Sequence, residues 1–168
     1  MEPNIEVKVA YEKKEIKKAM SYYILRVCGV RTFALITCPI IIVAIILSFV
    51  FNEYALLSII FIFAGYILHY IYYQRPIEGY LKFYQKRKGG IYRFSNDGVN
   101  VVGEDIKSQY LWSVFKKAYE IPSAFLLFDD NKFIYIFPKA CFSDNQSIEL
   151  FHNLLSPKFP GFKEYKEN

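Results

Sequence analysis

Cysteine is scarce in this chain and histidine scarcer: three cysteines, Cys28, Cys38 and Cys141, and two histidines, His69 and His152. An odd number of thiols this far apart builds neither a disulfide framework nor a zinc knuckle, so all three read as reduced thiols. Catalytic signatures are missing too. The sequence holds no G-x-S-x-G, no H-E-x-x-H, no Walker loop, no C-x-x-C and no paired carboxylates in a cleft-like context. No catalytic residue, metal ligand or cofactor is therefore expected, and the chain reads as not an enzyme. A Cys141–His152 thiol–imidazole pair is set aside because nothing in the sequence orients the histidine as a base.

Charge is absent over two long stretches. Phe33 to Phe51 (FALITCPIIIVAIILSFVF) is 19 residues without a charge, and Leu56 to Tyr73 (LLSIIFIFAGYILHYIYY) is 18 residues whose one near-neutral titratable group is His69. As helices each spans about 27–29 Å, close to the hydrocarbon thickness of a bilayer. Neither run has the polar face that a soluble core helix needs. One continuous helix through both would bury Glu53 near mid-membrane, so a turn at Asn52-Glu53 and a two-span hairpin are expected.

Lysine and arginine orient the hairpin. Residues 1–31 hold seven of them, the Asn52-Glu53 loop none, and residues 74–90 five. That asymmetry predicts both termini in the cytoplasm, with Tyr54, Tyr70, Tyr72 and Tyr73 as interface anchors. The early Glu2, Glu6, Lys8, Lys13, Lys14, Lys17 and Lys18 argue against a cleavable signal peptide. Pro39 is a potential kink and Gly65 a point of close approach between the spans. His69 has no acidic partner in either run, so it reads as interfacial rather than as a proton relay.

Outside the apolar runs the periodicity changes. Ile5, Val7 and Val9 alternate with Glu6 and Lys8, a half-buried strand. Ile16, Ala19, Tyr23 and Val27 then mark a helix whose polar face carries Lys13, Lys14, Lys17 and Lys18, lying on or leading into the inner leaflet, with Gly29 as its joint. Residues 77–88 (IEGYLKFYQKRK) form a basic helix before Gly89-Gly90. Its Lys82, Lys86, Arg87 and Lys88 read first as an inside signal, with contact to anionic lipid as the competing reading.

Beyond residue 90 come β-like runs. The pair IYRFS and VNVVG flanks Asn96-Asp97-Gly98, a turn in which Asn and Gly tolerate positive φ. Ile106–Trp112, Ser113–Tyr119, Ala124–Phe128 and Lys132–Phe137 complete an antiparallel meander. Ser143 and Gln146 suggest a capping box for a closing helix with the stripe Ile148, Phe151, Leu154 and Leu155. The aromatic tail, Phe159, Phe162 and Tyr165, shows neither period. A lone strand at residues 4–10 needs neighbours, so it is expected to join this sheet, with the hairpin as an insertion. Residues 1–90 carry a net charge of +6 and residues 91–168 one of −1, which disfavours nucleic-acid binding by the sheet.

The stretches IEVKVAYEKKEIKKAMSYY, YRFSNDGV, YLWSVFKKAYEIPSAFLLFDDNKFIYIFPKACF and the closing helix, around a two-span hairpin, resemble the YcxB-like membrane proteins of bacteria. The resemblance implies a PH-like or GRAM-like half-barrel capped by a helix, and it supplies no chemistry. IFPKACF carries Lys139 without the second basic residue that relatives often have, which weakens the carry-over of an anionic contact to it.

The expected plan is a membrane α-helical hairpin plus an α+β domain. Residues 1–31 give a strand and a basic amphipathic helix, 32–74 the hairpin, 75–90 a basic juxtamembrane helix, and 91–168 the PH-like domain completed by the N-terminal strand. The expected function is that of a multi-pass protein of the bacterial cytoplasmic membrane whose module recognises a protein, peptide or lipid headgroup. Membrane lipids, a protein or peptide partner and a homo-oligomer are the expected associations. A small membrane immunity protein and a membrane enzyme or transporter subunit are the alternatives.

Overall fold

The computed structural model describes residues 5–30, 55–86, 89–103, 107–131 and 133–166, with residues 55–58 by backbone alone, and positions 35, 38, 39, 41–43, 45 and 46. The Asn52-Glu53 turn, most of the first apolar run, and Arg87, Lys88 and Lys132 lie outside the described residues. The chain divides into two compact units, Met1–Ala19 with Leu81–Asn168, and Met20–Tyr80.

The first unit is α+β. Strands β1 (Ile5–Val9), β2 (Gly90–Phe94), β3 (Gly98–Gly103) and β4 (Lys107–Leu111) form one antiparallel sheet in that order. A second sheet runs β7 (Ile134–Pro138), β6 (Ala124–Asp129), β5 (Phe115–Ile121), β8 (Lys163–Glu164). The N-terminal strand does join the sheet built after residue 90, with Ile5 opposite Phe94 and Val9 opposite Gly90. Its alternation turns Ile5, Val7 and Val9 into the core and leaves Glu6 and Lys8 outside.

That core holds Tyr92, Phe94, Phe125, Leu127, Phe137 and Phe142 from the strands and their connections, and Phe151, Leu154 and Leu155 from the closing helix α4 (Asn145–Leu155). Phe151 is fully buried and meets the rings of Phe94, Phe125, Phe137 and Phe142 at centroid separations of 4.4–6.1 Å. Trp112 is core rather than ligand platform: it packs on Phe94, Phe115 and Phe159, and its Nε1 donates to the Ser95 carbonyl at 2.9 Å.

The local chemistry differs from the sequence expectations at four places. Gly98 does not carry a positive φ, a conformation that among the glycines belongs to Gly29 at +73°. Gly98 is needed for close approach, since a Cβ there would lie 2.2 Å from the Tyr110 carbonyl oxygen. Residues 112–114 form a 3-10 turn, so Ser113 does not open the next strand. The helix cap is Asp144, one residue beyond Ser143, and its carboxylate accepts from the Ser147 amide at 2.7 Å. The aromatic tail does contain a strand, β8, parallel to β5 and too short for any sequence period to mark.

Helical segments belong to both units. Helix α1 (Lys13–Tyr22) passes into a π-helical turn (Tyr23–Val27), closed by the Cys28 amide on the Tyr23 carbonyl at 3.0 Å, and Gly29 breaks the run as its expected joint. Helix α2 (Ala55–His69) meets a second π-helical turn (Tyr70–Gln74) before α3 (Arg75–Lys86). Among the described residues no helix is long and apolar enough to cross a membrane. Helix α2 has 15 residues, about 22 Å of rise. Within the helical unit Gly65 faces Ile41, where a Cβ would make an ordinary 3.6 Å contact, and the His69 ring stacks on Tyr73 at 5.1 Å.

Tyr84 fixes the end of α3 to β7. Its buried hydroxyl donates to the Ile134 carbonyl at 2.5 Å and accepts from the Ile136 amide at 3.1 Å, while its ring meets Tyr11 at 4.4 Å. Replacing Tyr84 with Phe removes both bonds and leaves two buried backbone groups of β7 without that partner. A loss of about 1–3 kcal/mol of stability is expected in denaturant unfolding of the full chain in detergent.

Candidate functional site

One buried carboxylate of the sheet unit gathers two ionisable side chains from elements later in the chain. Glu120 on β5 is 6% exposed. Its Oε1 accepts from Lys139 Nζ at 2.6 Å, and its Oε2 meets His152 Nδ1 at 2.5 Å. A carboxylate is an acceptor, so the second contact places the imidazole proton on Nδ1. Lys139 comes from the 3-10 turn after β7 (Lys139–Cys141) and His152 from α4. Lys139 Nζ also lies 5.3 Å from the centroid of Phe125.

The C-terminal tail closes over the same residues. The Tyr165 amide donates to the Glu120 carbonyl at 2.8 Å, Lys163 and Glu164 pair with Tyr119 and Glu120, and the Phe162 ring stands edge-on to His152 at 5.2 Å. The cluster thus ties β5, the turn after β7, α4 and the tail together. Both carboxylate oxygens are occupied inside the fold, which suits a structural tie better than proton transfer to a ligand.

A bulge explains why a glutamate faces inward here. The β5–β6 register shifts between Phe115 and Lys117, so Ala118 and Glu120 share the buried side with Phe115. Plain alternation from Phe115 would have turned Glu120 to solvent. The one sequence signal for this triad is the presence of Lys139 and His152 downstream, with no spacing rule to join them. His152 does have an orienting carboxylate, contrary to the sequence reading, but its partner is not Cys141. The Cys141 thiol points to the Ala10 carbonyl at 3.8 Å, and burial pushes its pKa up, opposite to an activated nucleophile.

The expected lipid-contact residues fall on α3. Lys82 and Lys86 are exposed and one turn apart, opposite the buried Leu81 and Tyr84, while Arg87 and Lys88 lie outside the described residues. Among the described residues no group of three or more His, Cys, Asp or Glu side chains could hold a metal ion.

The family model described as YcxB-like protein matches residues 94–155. Residues 94–155 form a YcxB-like segment. It runs from the last residue of β2 through β3–β7 to the end of α4, and takes in Glu120, Lys139 and His152. The resemblance to this family holds over that segment; β1, the helices before β2 and the tail lie outside it. Neither a curated protein nor a solved structure matches the chain.

Two outcomes are expected in the YcxB-like segment. Lys139→Met or His152→Leu leaves Glu120 one cationic or donating partner and costs about 1–2 kcal/mol, whereas the double variant strands a buried carboxylate and costs about 3–5 kcal/mol. A double-mutant cycle on unfolding free energies checks the excess of the double over the two singles. The Ser147 amide holds the Asp144 carboxyl below its usual pKa, so its stabilisation is fully present above the unfolded value and is lost as pH falls through the lowered folded one. In acid titrations Asp144→Ala should lose stability near neutral pH and fall less steeply than the parent below about pH 4.

Proposed function

We propose that the helical unit is the bilayer anchor of a bacterial inner-membrane protein, and that the YcxB-like segment lies in a PH-like binding module on the cytoplasmic side. The observation that carries this reading is the exposure of α2. Ile59, Ile60, Phe61, Ile62 and Phe63 are consecutive and all at least 42% exposed. At 100° per residue five successive side chains go all the way round a helix, so α2 has no polar face to turn to water. Leu35, Ile42, Val43 and Ile46 of the first apolar run are likewise exposed. The apolar sequence around α2 extends through the π-helical turn to Tyr73, which lengthens the run that hydrocarbon would cover.

Strand pairing adds a topological argument. The chain leaves the sheet at Ala10 and returns at Gly89, beside it, because Val9 is opposite Gly90. An excursion that starts and ends in one sheet crosses a membrane an even number of times, which fits a hairpin with both termini cytoplasmic. Two four-stranded sheets with a closing helix fit a PH-like binding module better than an enzyme, and the engaged Glu120 cluster and the raised Cys141 thiol point the same way. Its partner is a protein or peptide at the exposed β4 edge, or lipid headgroups beside Lys82 and Lys86.

Alkaline carbonate extraction of membranes, followed by thiol labelling of single-cysteine variants in a background lacking Cys28, Cys38 and Cys141, tests the anchor. Retention in the pellet is expected, with Asn52→Cys labelled from outside and Gln109→Cys only after lysis. Release by carbonate, or outside labelling of Gln109→Cys, would overturn it. A photocrosslinker at Gln109 of the full chain should capture a partner that one at Tyr66 in the helical unit does not.

A further inference from the structure

Six lysines of the sheet unit are carried by two helical segments. Lys13, Lys14, Lys17 and Lys18 on α1 and Lys82 and Lys86 on α3 are all exposed, and none makes an ion pair among the described residues. They form three like-charge pairs at a separation of four residues: 13 with 17, 14 with 18, and 82 with 86. Such pairs cost a helix stability in water, and α1 offers only Glu15, with Glu12 just before it, against its four cations. On the strands and the turn after β7, Arg93 pairs with Glu6, Lys116 with Asp130 and Lys139 with Glu120. Lys8, Lys107, Lys117 and Lys163 are exposed without an ion pair among the described residues, but not in like-charge pairs along a helix.

The opposite sides of these helix segments are already used. Ile16 and Ala19 on α1 and Tyr84 on α3 are at most 1% exposed, and Leu81 is buried with them. An interfacial helix binds a membrane by sinking its apolar face to the acyl boundary. That mode is closed to residues 13–19 and 81–86, because their apolar faces are committed to the protein interior. The exposed side chains of these segments are the six lysines and Gln85. Of the sequence expectation that α1 lies on or leads into the inner leaflet, this burial leaves contact through the lysines rather than through the apolar stripe.

We propose that the lysine faces of α1 and α3 dock the sheet unit on anionic phospholipid headgroups by charge alone, without insertion. The proposal rests on the membrane reading above and names the lipid class that this face selects. Both segments are continuous in the chain with the helical unit, so an anchored protein holds them within reach of the headgroups. Docking of this kind is reversible and screened by salt, unlike the anchor itself.

The test uses the full chain reconstituted in phosphatidylcholine vesicles and in vesicles with three parts in ten phosphatidylglycerol, with lysine acetylation read by mass spectrometry. Flotation with either vesicle establishes the anchor independently. In the anionic vesicles at low salt, Lys13, Lys14, Lys17, Lys18, Lys82 and Lys86 should react several-fold more slowly than in phosphatidylcholine. Lys116 and Lys163, on β5 and β8, should be unchanged, and 0.5 M salt should restore the six. A chain that floats with both vesicles while its six lysines react alike in each overturns the docking and leaves the anchor standing. A chain that floats with neither removes the anchor and the docking with it. In the variant with Lys13, Lys14, Lys17 and Lys18 all changed to Gln, the several-fold protection of Lys82 and Lys86 should be lost; unchanged protection would overturn the role of α1.

Discussion

The pairing of β1 with β2 is the constraint on which the architecture depends. Strands separated by residues 10–89 are neighbours in one sheet, and the first core residues of the chain, Ile5, Val7 and Val9, are buried only because that pairing exists. The pairing is tight at its open end. A Cβ on Gly89 would lie 2.2 Å from the Val9 carbonyl oxygen, so the return strand can come this close only as glycine. Everything in the helical unit is an excursion between two adjacent points of a sheet.

The second sheet carries the opposite problem, how to tolerate charge inside. Strand β6 buries Ala124 through Phe128 without a break, so both of its faces are covered. Glu120 lies directly opposite Phe125 in the register and would be costly there unpaired. Lys139 and His152 reach it from elements that arrive much later in the chain. Each is partly exposed, which lets the Lys139 ammonium and the outer edge of the His152 ring stay hydrated. The bulge, the turn after β7, the closing helix and the tail are consequently organised around one carboxylate.

Much of this plan was legible from residue patterns, and the failures have physical causes. Alternation marked β1, and isolation of that strand argued for its joining the later sheet. The stripe from Ile148 to Leu155 marked α4, and Gly29 marked the joint after α1. Alternation failed at Glu120 because a one-residue bulge reverses the side to which every later side chain points. It failed at β8 because two residues carry no period. The Ser143 cap lost to Asp144, whose shorter route to the Ser147 amide no spacing rule separates from a capping box. Lys13 to Lys18 were visible as a charged face, but whether the apolar side of that helix was free could be learned only from burial.

The late arrival of β2 also bears on how the protein is made. β1 leaves the ribosome before β2 and has no neighbour in its sheet until β2 has been synthesised, after the whole helical unit. For that interval Ile5, Val7 and Val9 are an unpaired apolar edge, and the two apolar runs follow them out before any sheet can close. Synthesis order therefore requires the helices to find their surroundings while the sheet unit is still open, and the nascent chain depends on its N-terminal strand being kept from other partners until then.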